Sequence, residues 1–296
     1  MTTQDSAPGT PGQNKGGGPL IVGTGVSRRR LVPSPDKAKA WAKQIMQTLV
    51  AALILGGAWE LLSRLDPSFF PRIIIPPPTE IAQAFVTVLT GDLIWPNLWV
   101  TTQETLIAFA IGAGGAFVIG VIISLWKPVK SGVYPLLISI QSTPRSALAP
   151  VLIAWFGFGM SSKIALAVLI CFFPVLANTV TGLTTVDENA ELLMRSMQSS
   201  RVQTFWYFRL PNAMPLIFAG LQASLTFALV GAVFGELLGS DQGVGSLIKA
   251  ASFQLRMDNV FAYLAFLSLV GISLVGIMAF IQRKVTFWSI EEGQEL

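Results

Sequence analysis

Four charged residues stand within or beside long apolar runs of the 296-residue chain: Glu60, Glu104, Arg145 and Glu236. Burying a charge in hydrocarbon is expensive, so such residues mark a solute path or a buried partner charge. Glu60 and Glu236 fall near the ends of their runs, which places them at the wet boundary. Glu104 and Arg145 are the informative pair. Either Arg145 lines a path and attracts an anionic solute, or it pairs with Glu104 and satisfies a buried charge; the second reading is slightly favoured. Conventional active-site chemistry is scarce. The chain has no histidine and one cysteine, Cys171, so His-based acid–base work, Cys/His zinc sites and an intrachain disulfide are excluded. No metal or cofactor is expected. "GSDQGVGSLIK" (239–249) lacks the Gly-Lys-Ser/Thr ending of a phosphate-binding loop, so ATP hydrolysis is not expected from this chain alone.

A second feature is a polar interruption, "VDENAELLMRSMQSSRVQTFWYFRLPNAMP" (186–215), flanked on both sides by apolar sequence. Thr185-x-x-Glu188 and Ser200-x-x-Gln203 both read as capping boxes, announcing two short helices over about 186–197 and 201–209. A tight turn at Gln198–Ser199 joins them, and Leu210-Pro211 stops the second. Leu192, Leu193 and Met197 give the first helix an apolar side; Glu188, Glu191 and Arg195 give it a charged one. The hairpin is too short to span a bilayer and offers two faces to something docking on it. Flanking membrane runs exclude its use as a DNA-binding helix pair.

The elements that must position these residues follow from composition. The chain is 52% hydrophobic and 12% charged, with a mean hydropathy of +0.62; soluble domains carry about 25% charged residues. Hydrocarbon is the expected solvent, and only helices satisfy the backbone of an isolated spanning segment. Six stretches are apolar enough to cross: about 45–64, 98–126, 133–157, 163–183, 212–238 and 260–282. The third contains Pro144 and Pro150 and is expected to be kinked or partly unwound. Between the first two, Thr79 is placed to cap a helix carrying Ile81, Phe85 and Leu89 on one face, either at the outer interface or packed as a connector.

Six crossings put both termini on one side. With that side cytoplasmic, fourteen of the 20 Lys and Arg residues fall inside and five outside, Arg145 being within the third span. The hairpin then faces the cytoplasm. The expected organisation is a disordered basic tail over 1–44, the first span and outer connector over 45–97, a transmembrane core over 98–283 and a C-terminal tail over 284–296. Gly231, Gly235 and Gly239 recur every four residues and form a helix-packing stripe, at a subunit interface or within the chain; Gly112, Ala116 and Gly120 form another.

The hairpin resembles the cytoplasmic coupling loop of permease subunits in bacterial ABC importers of the binding-protein-dependent type. Its Arg195, Ser199-Ser200-Arg201, Gln203, Phe205 and Leu210-Pro211 follow that loop without a gap, while Leu192 stands at the signature glutamate position and Gln198 at the signature glycine. "PRSALAPVLIAWFGFG" (144–159), "FFPVLANTV" (172–180) and "GELLGSDQGVGSLI" (235–248) are similar to permeases for nitrate, bicarbonate, taurine and sulfonates. The resemblance implies an all-α integral membrane fold of about six helices, with a coupling hairpin between spans four and five. It implies docking of Glu191, Leu192, Arg195, Gln198 and Ser199 on separate ABC ATPase subunits. It further implies delivery of a small, anionic solute by an extracytoplasmic binding protein, and a second permease subunit completing a homodimer in the inner membrane. A secondary transporter working without an ATPase is the alternative; it would need a coupling carboxylate deep in a span.

Overall fold

The computed structural model describes residues 35–65, 74–126, 132, 139–140, 143–185 and 187–289. By its contacts the chain divides into Met1–Leu53 and Ile54–Leu296. Of the first unit, the described part is helical from Pro35 and exposes Met46, Leu49, Val50 and Leu53. The expected disordered tail, 1–44, lies largely outside the described residues. Its last ten residues instead form the first turns of α1 (Pro35–Leu65), since an Ala- and Lys-rich run favours helix.

In the second unit α1 ends at Leu65 and is followed by α2 (Pro78–Thr90) and α3 (Ile94–Leu125). A 3-10 turn at Arg145–Leu148 leads into the short α4 (Ala149–Phe156), then α5 (Met160–Thr184). The hairpin helix α6 (Glu188–Ser196) and α7 (Arg201–Thr204) come next. A π-helical turn at Phe205–Arg209 then runs into α8 (Leu210–Gly239), and α9 (Val244–Phe253) and α10 (Met257–Val285) complete the order. Five helical segments among the described residues are long and apolar enough to cross a membrane: Met46–Leu65, Ile94–Leu125, Met160–Thr184, Arg201–Gly239 and Met257–Val285. The expected third span, 133–157, falls partly outside the described residues. The helix described within it, Arg145–Phe156, is by itself too short to cross, with Pro150 accommodated in the first turn of α4, where a missing N–H costs nothing.

Exposed Trp95 and Trp99 at the start of α3 and Trp126 at its end are separated as interfacial aromatics should be. At 1.5 Å per residue, Trp99 to Trp126 is about 40 Å, matching a bilayer with its headgroups. At the centre, α5 packs on α8 and α3 through small residues. A Cβ on Gly231 would lie 2.6 Å from Ala167 Cα, one on Gly120 2.9 Å from Thr179, and one on Gly112 2.5 Å from Cys171 Sγ. The Gly231/Gly235/Gly239 stripe is therefore filled from within the chain, by Ala167, Lys163, and Ile153 with Phe158.

The connector α2 packs on α10, with the Phe85 and Phe266 rings stacked at 4.4 Å. Thr79 does not cap it: the helix starts at Pro78, and the Thr79 hydroxyl donates to Glu60 at 3.0 Å. Glu60 itself takes the Thr79 backbone N–H at 3.2 Å and pairs with Arg64 at 2.6 Å. A carboxylate supplied by α1 thus meets the positive end of α2, leaving no need for a local side-chain cap.

Candidate functional site

Two polar constellations lie at opposite ends of the α3–α5–α8 core. Because α5 runs into the hairpin and α8 out of it, the end of α5 and the start of α8 share the hairpin's side. The start of α5 and the end of α8 lie at the other.

At the hairpin end, α6 is capped by Asp187, whose carboxylate accepts the Asn189 N–H at 2.9 Å. The expected cap, Thr185, instead finishes α5, its N–H bonded to Thr181 O at 2.8 Å. The chain leaves α6 through Gln198 at φ +59°. The Gln198 N–H returns to Arg195 O at 2.9 Å and the Ser199 N–H to Met194 O at 3.1 Å, the paired closure of a helix ended by a left-handed residue. Gln198 therefore takes a left-handed conformation that glycine would adopt freely, at a cost of about 1–2 kcal/mol.

The Ser200 capping box forms as read: Gln203 N–H donates to Ser200 Oγ at 3.2 Å and Ser200 N–H to Gln203 Oε1 at 2.8 Å. The second helix does not stop at Leu210-Pro211. A five-residue π turn, in which Leu210 N–H bonds to Phe205 O, carries it into α8 as one helical run to Gly239. The wider turn absorbs the lost proline N–H, so the proline does not break the helical run.

Of the residues assigned to docking, Leu192 is exposed at 59% and lies beside exposed Leu193 and Met197, whereas Met194 is half-buried. Arg195 reaches Glu191 Oε1 at 3.0 Å, and Arg209 Nη2 lies 2.9 Å from Glu191 Oε1 and 2.8 Å from Oε2. Glu191 is thus held inside the chain. Partial burial pushes its carboxyl up, but hydrogen bonds and charge from Arg195 and Arg209 outweigh this and hold it below the usual carboxylate range. Ser199 Oγ donates to Met194 O at 2.8 Å and sits 2.9 Å from Thr204 Oγ1.

At the opposite end, a cavity of about 390 Å³ is lined by Gln103, Glu104, Lys163, Ser240, Asp241 and Gln242 on its polar side. Val100, Phe158 and Met160 form its apolar side. Glu104 is fully buried and ion-paired with Lys163, whose Nζ also donates to Ser240 Oγ at 3.0 Å. The expected Glu104–Arg145 pair is not formed. Arg145 donates to Ile170 O at 2.9 Å, with its guanidinium 4.8 Å from the centre of the Phe173 ring. Lys163 replaces it because Gly235, with no side chain, lets the first turn of α5 lie against α8; a Cβ there would be 3.0 Å from Lys163 Cα.

Nor does Glu236 sit at a wet boundary. It is fully buried, accepting from Thr101 Oγ1 at 2.6 Å and from the Gly245 N–H at 2.7 Å. Val244 N–H donates to Thr101 Oγ1 at 2.9 Å and Gly243 N–H to Asn97 Oδ1 at 2.7 Å. Gly243 at φ +98° brings this backbone onto the carboxylate, and any Cβ at Gly243 or Gly245 would overlap Glu236. The glutamate of "GELLGSDQGVGSLI" and its two glycines are one device, joining α3, α8 and α9 through backbone N–H groups. Lys163, Thr101 and Asn97 were missed from sequence; Asn97 and Thr101 sit one helical turn apart on α3, the only signal they carry.

Residues 112–287 match the family described as binding-protein-dependent transport system inner membrane component. A probable ABC transporter permease protein of Haemophilus influenzae is 32% identical, over 78% of this chain and 92% of its own length. The formylaminopyrimidine transport permease protein ThiX of Halalkalibacterium halodurans is 32% identical, over 77% of this chain and 90% of its own. The taurine transport system permease protein TauC of Escherichia coli is 25% identical, over 83% and 91%. Among solved structures, an inward-facing MetNI methionine ABC transporter chain superposes with a TM-score of 0.51 at 17% identity, covering 66% of this chain and 98% of that one.

Proposed function

Because the chain belongs to the family of binding-protein-dependent transport system inner membrane components, we propose that it forms the solute path of an ATP-driven importer and is moved by a separate ATPase docked on the α6 hairpin. The observation that carries this reading is a short helix, set between two membrane helices, that leaves Leu192, Leu193 and Met197 uncovered. An apolar helix face of this kind suits a groove on a soluble partner. Arg195, mostly exposed on the same helix, and the Gln198–Ser199 turn fix its register. The hairpin and both termini lie in the cytoplasm, as the excess of Lys and Arg on that side favours. A solute-binding protein meets the opposite face, where the Glu104–Lys163 cavity opens, and a second copy of the permease completes the path. Arg145, held by Ile170 O, acts on that path by fixing the chain before α4 against α5.

The solute is small. An anion of the sulfonate or taurine class is supported by relatives bearing those names. A second reading, a neutral heteroaromatic solute, is supported by the formylaminopyrimidine and riboflavin permeases and by the cavity wall, where Lys163 is already paired with Glu104. Two measurements test the proposal. A thiol reagent that cannot cross the membrane should label Arg195→Cys only from the cytoplasmic side; labelling from outside contradicts the orientation. Uptake competition with taurine, an alkanesulfonate and an aminopyrimidine separates the solute classes.

A further inference from the structure

The hairpin is joined to α8 by two soft connections. One is the left-handed Gln198 turn, and the other is the π turn at Phe205–Arg209, whose Trp206 and Tyr207 are 60% and 79% exposed. A π turn adds one residue to the helical count and so rotates everything before it by about 100° relative to the helix after it. A force applied to the exposed face of α6 would be absorbed as bending at these two points unless something else ties α6 to α8. One side-chain bridge does so. Arg209, the last residue of the π turn, reaches back 18 positions to Glu191 in the middle of α6 and holds both carboxylate oxygens. Its two partners are only about a quarter exposed, at 26% and 22%. Within this turn Arg209 bonds to α6 while Trp206 and Tyr207 are exposed. The Ser199–Thr204 hydroxyl contact closes the turn itself but does not reach α8.

We propose that Glu191 and Arg209 are positioning residues: their ion pair is the strut that makes α6 and α8 move as one body. This deepens the importer reading and rests on it for its purpose, although the strut itself is a property of the single chain. Glu191 thereby acts within the chain, and the docking contact falls to Leu192, Leu193, Met197 and Arg195.

The test uses the complete chain in lipid nanodiscs, with Cys171→Ala removing the native thiol and spin labels at Leu193→Cys on α6 and Phe227→Cys on α8. Pulsed electron paramagnetic resonance reads the distance distribution between them. With the native pair, a single narrow distribution is expected. Arg209→Met and, separately, Glu191→Gln should each broaden it at least twofold. The double variant should be no broader than either single one, and Arg209→Lys should restore most of the narrowness. A role in fold stability alone would lower the melting temperature and leave the width unchanged; unchanged width in both single variants overturns the proposal. An additive effect in the double variant overturns it too. Absence of an ATPase from the purified wild-type chain bears on the importer reading and leaves this measurement intact.

Discussion

Gly235 and Lys163 touch so closely that no side chain fits between them: a Cβ on the glycine would lie 3.0 Å from Lys163 Cα and Cγ. That contact lets Lys163 run along α8 into Glu104. Gly235→Ala should therefore destabilise the chain by about 1–3 kcal/mol through overpacking. Gly114→Ala on α3, where nothing lies within 4 Å, should be neutral or slightly stabilising, by up to about 1 kcal/mol. Melting temperatures in the same detergent compare the two; equal shifts contradict the packing account.

The Glu104–Lys163 pair is buried at both ends. Removing one partner leaves an uncompensated charge, so Lys163→Met should cost about 3–5 kcal/mol. Lys163→Met combined with Glu104→Leu should cost much less than the sum. Arg145→Met should leave Glu104 undisturbed, because Arg145 bonds a backbone carbonyl instead. A thermal-denaturation double-mutant cycle decides this, and additivity of the Lys163 and Glu104 changes contradicts a direct pair.

Much of this architecture was legible in the sequence. The long apolar runs gave four crossing helices within a few residues, and the Ser200–Gln203 box formed as read. The π turn was not legible, because Leu-Pro carries the same signal whether it ends a helix or is absorbed by one. Thr185 lost its cap role to Asp187, since its own N–H was already committed to α5. Lys163 is missed and Glu236 misplaced by sequence for a common reason. Each lies at the end of an apolar run, where composition says water. Burial there comes from tertiary folding: the distant Gly235 packs on the lysine, while the distant Thr101 and the nearby Gly243–Gly245 turn, folded back, close over the glutamate.

Gln198 occupies a left-handed position that glycine adopts freely. Gln198→Gly should raise hairpin stability by up to about 1 kcal/mol, the relief of backbone strain exceeding the added freedom of the unfolded chain. Gln198→Val should lower it by more, since a β-branched residue fits that conformation worst. Limited proteolysis of the 186–209 segment reads both; a slower cut for the valine variant contradicts the assigned turn.

Arg195 and Arg209 hold Glu191 below the usual carboxylate range despite its partial burial. A depressed native value means the unfolded carboxyl binds a proton first as pH falls. The pair's contribution to stability is then fully present above the ordinary carboxylate value of about 4.3 and lost as pH drops through the lower native one. Hairpin protection from proteolysis by an acid-stable protease should be flat from pH 7 to about 5 and fall below that. In Glu191→Gln the acid-dependent fall should shrink; an unchanged fall assigns it elsewhere.

The importer reading requires the exposed face of α6 to be gripped by a separate ATPase. The direct measurement is affinity purification of the tagged full chain from its native membrane, followed by an ATP-hydrolysis assay and a subunit count. An ATPase should co-elute with the wild-type chain and be lost when Leu192, Leu193 and Met197 are all changed to Asp, while the variant itself stays folded in the membrane. An ATPase retained by that variant, or solute movement by the purified chain with no nucleotide present, would contradict it.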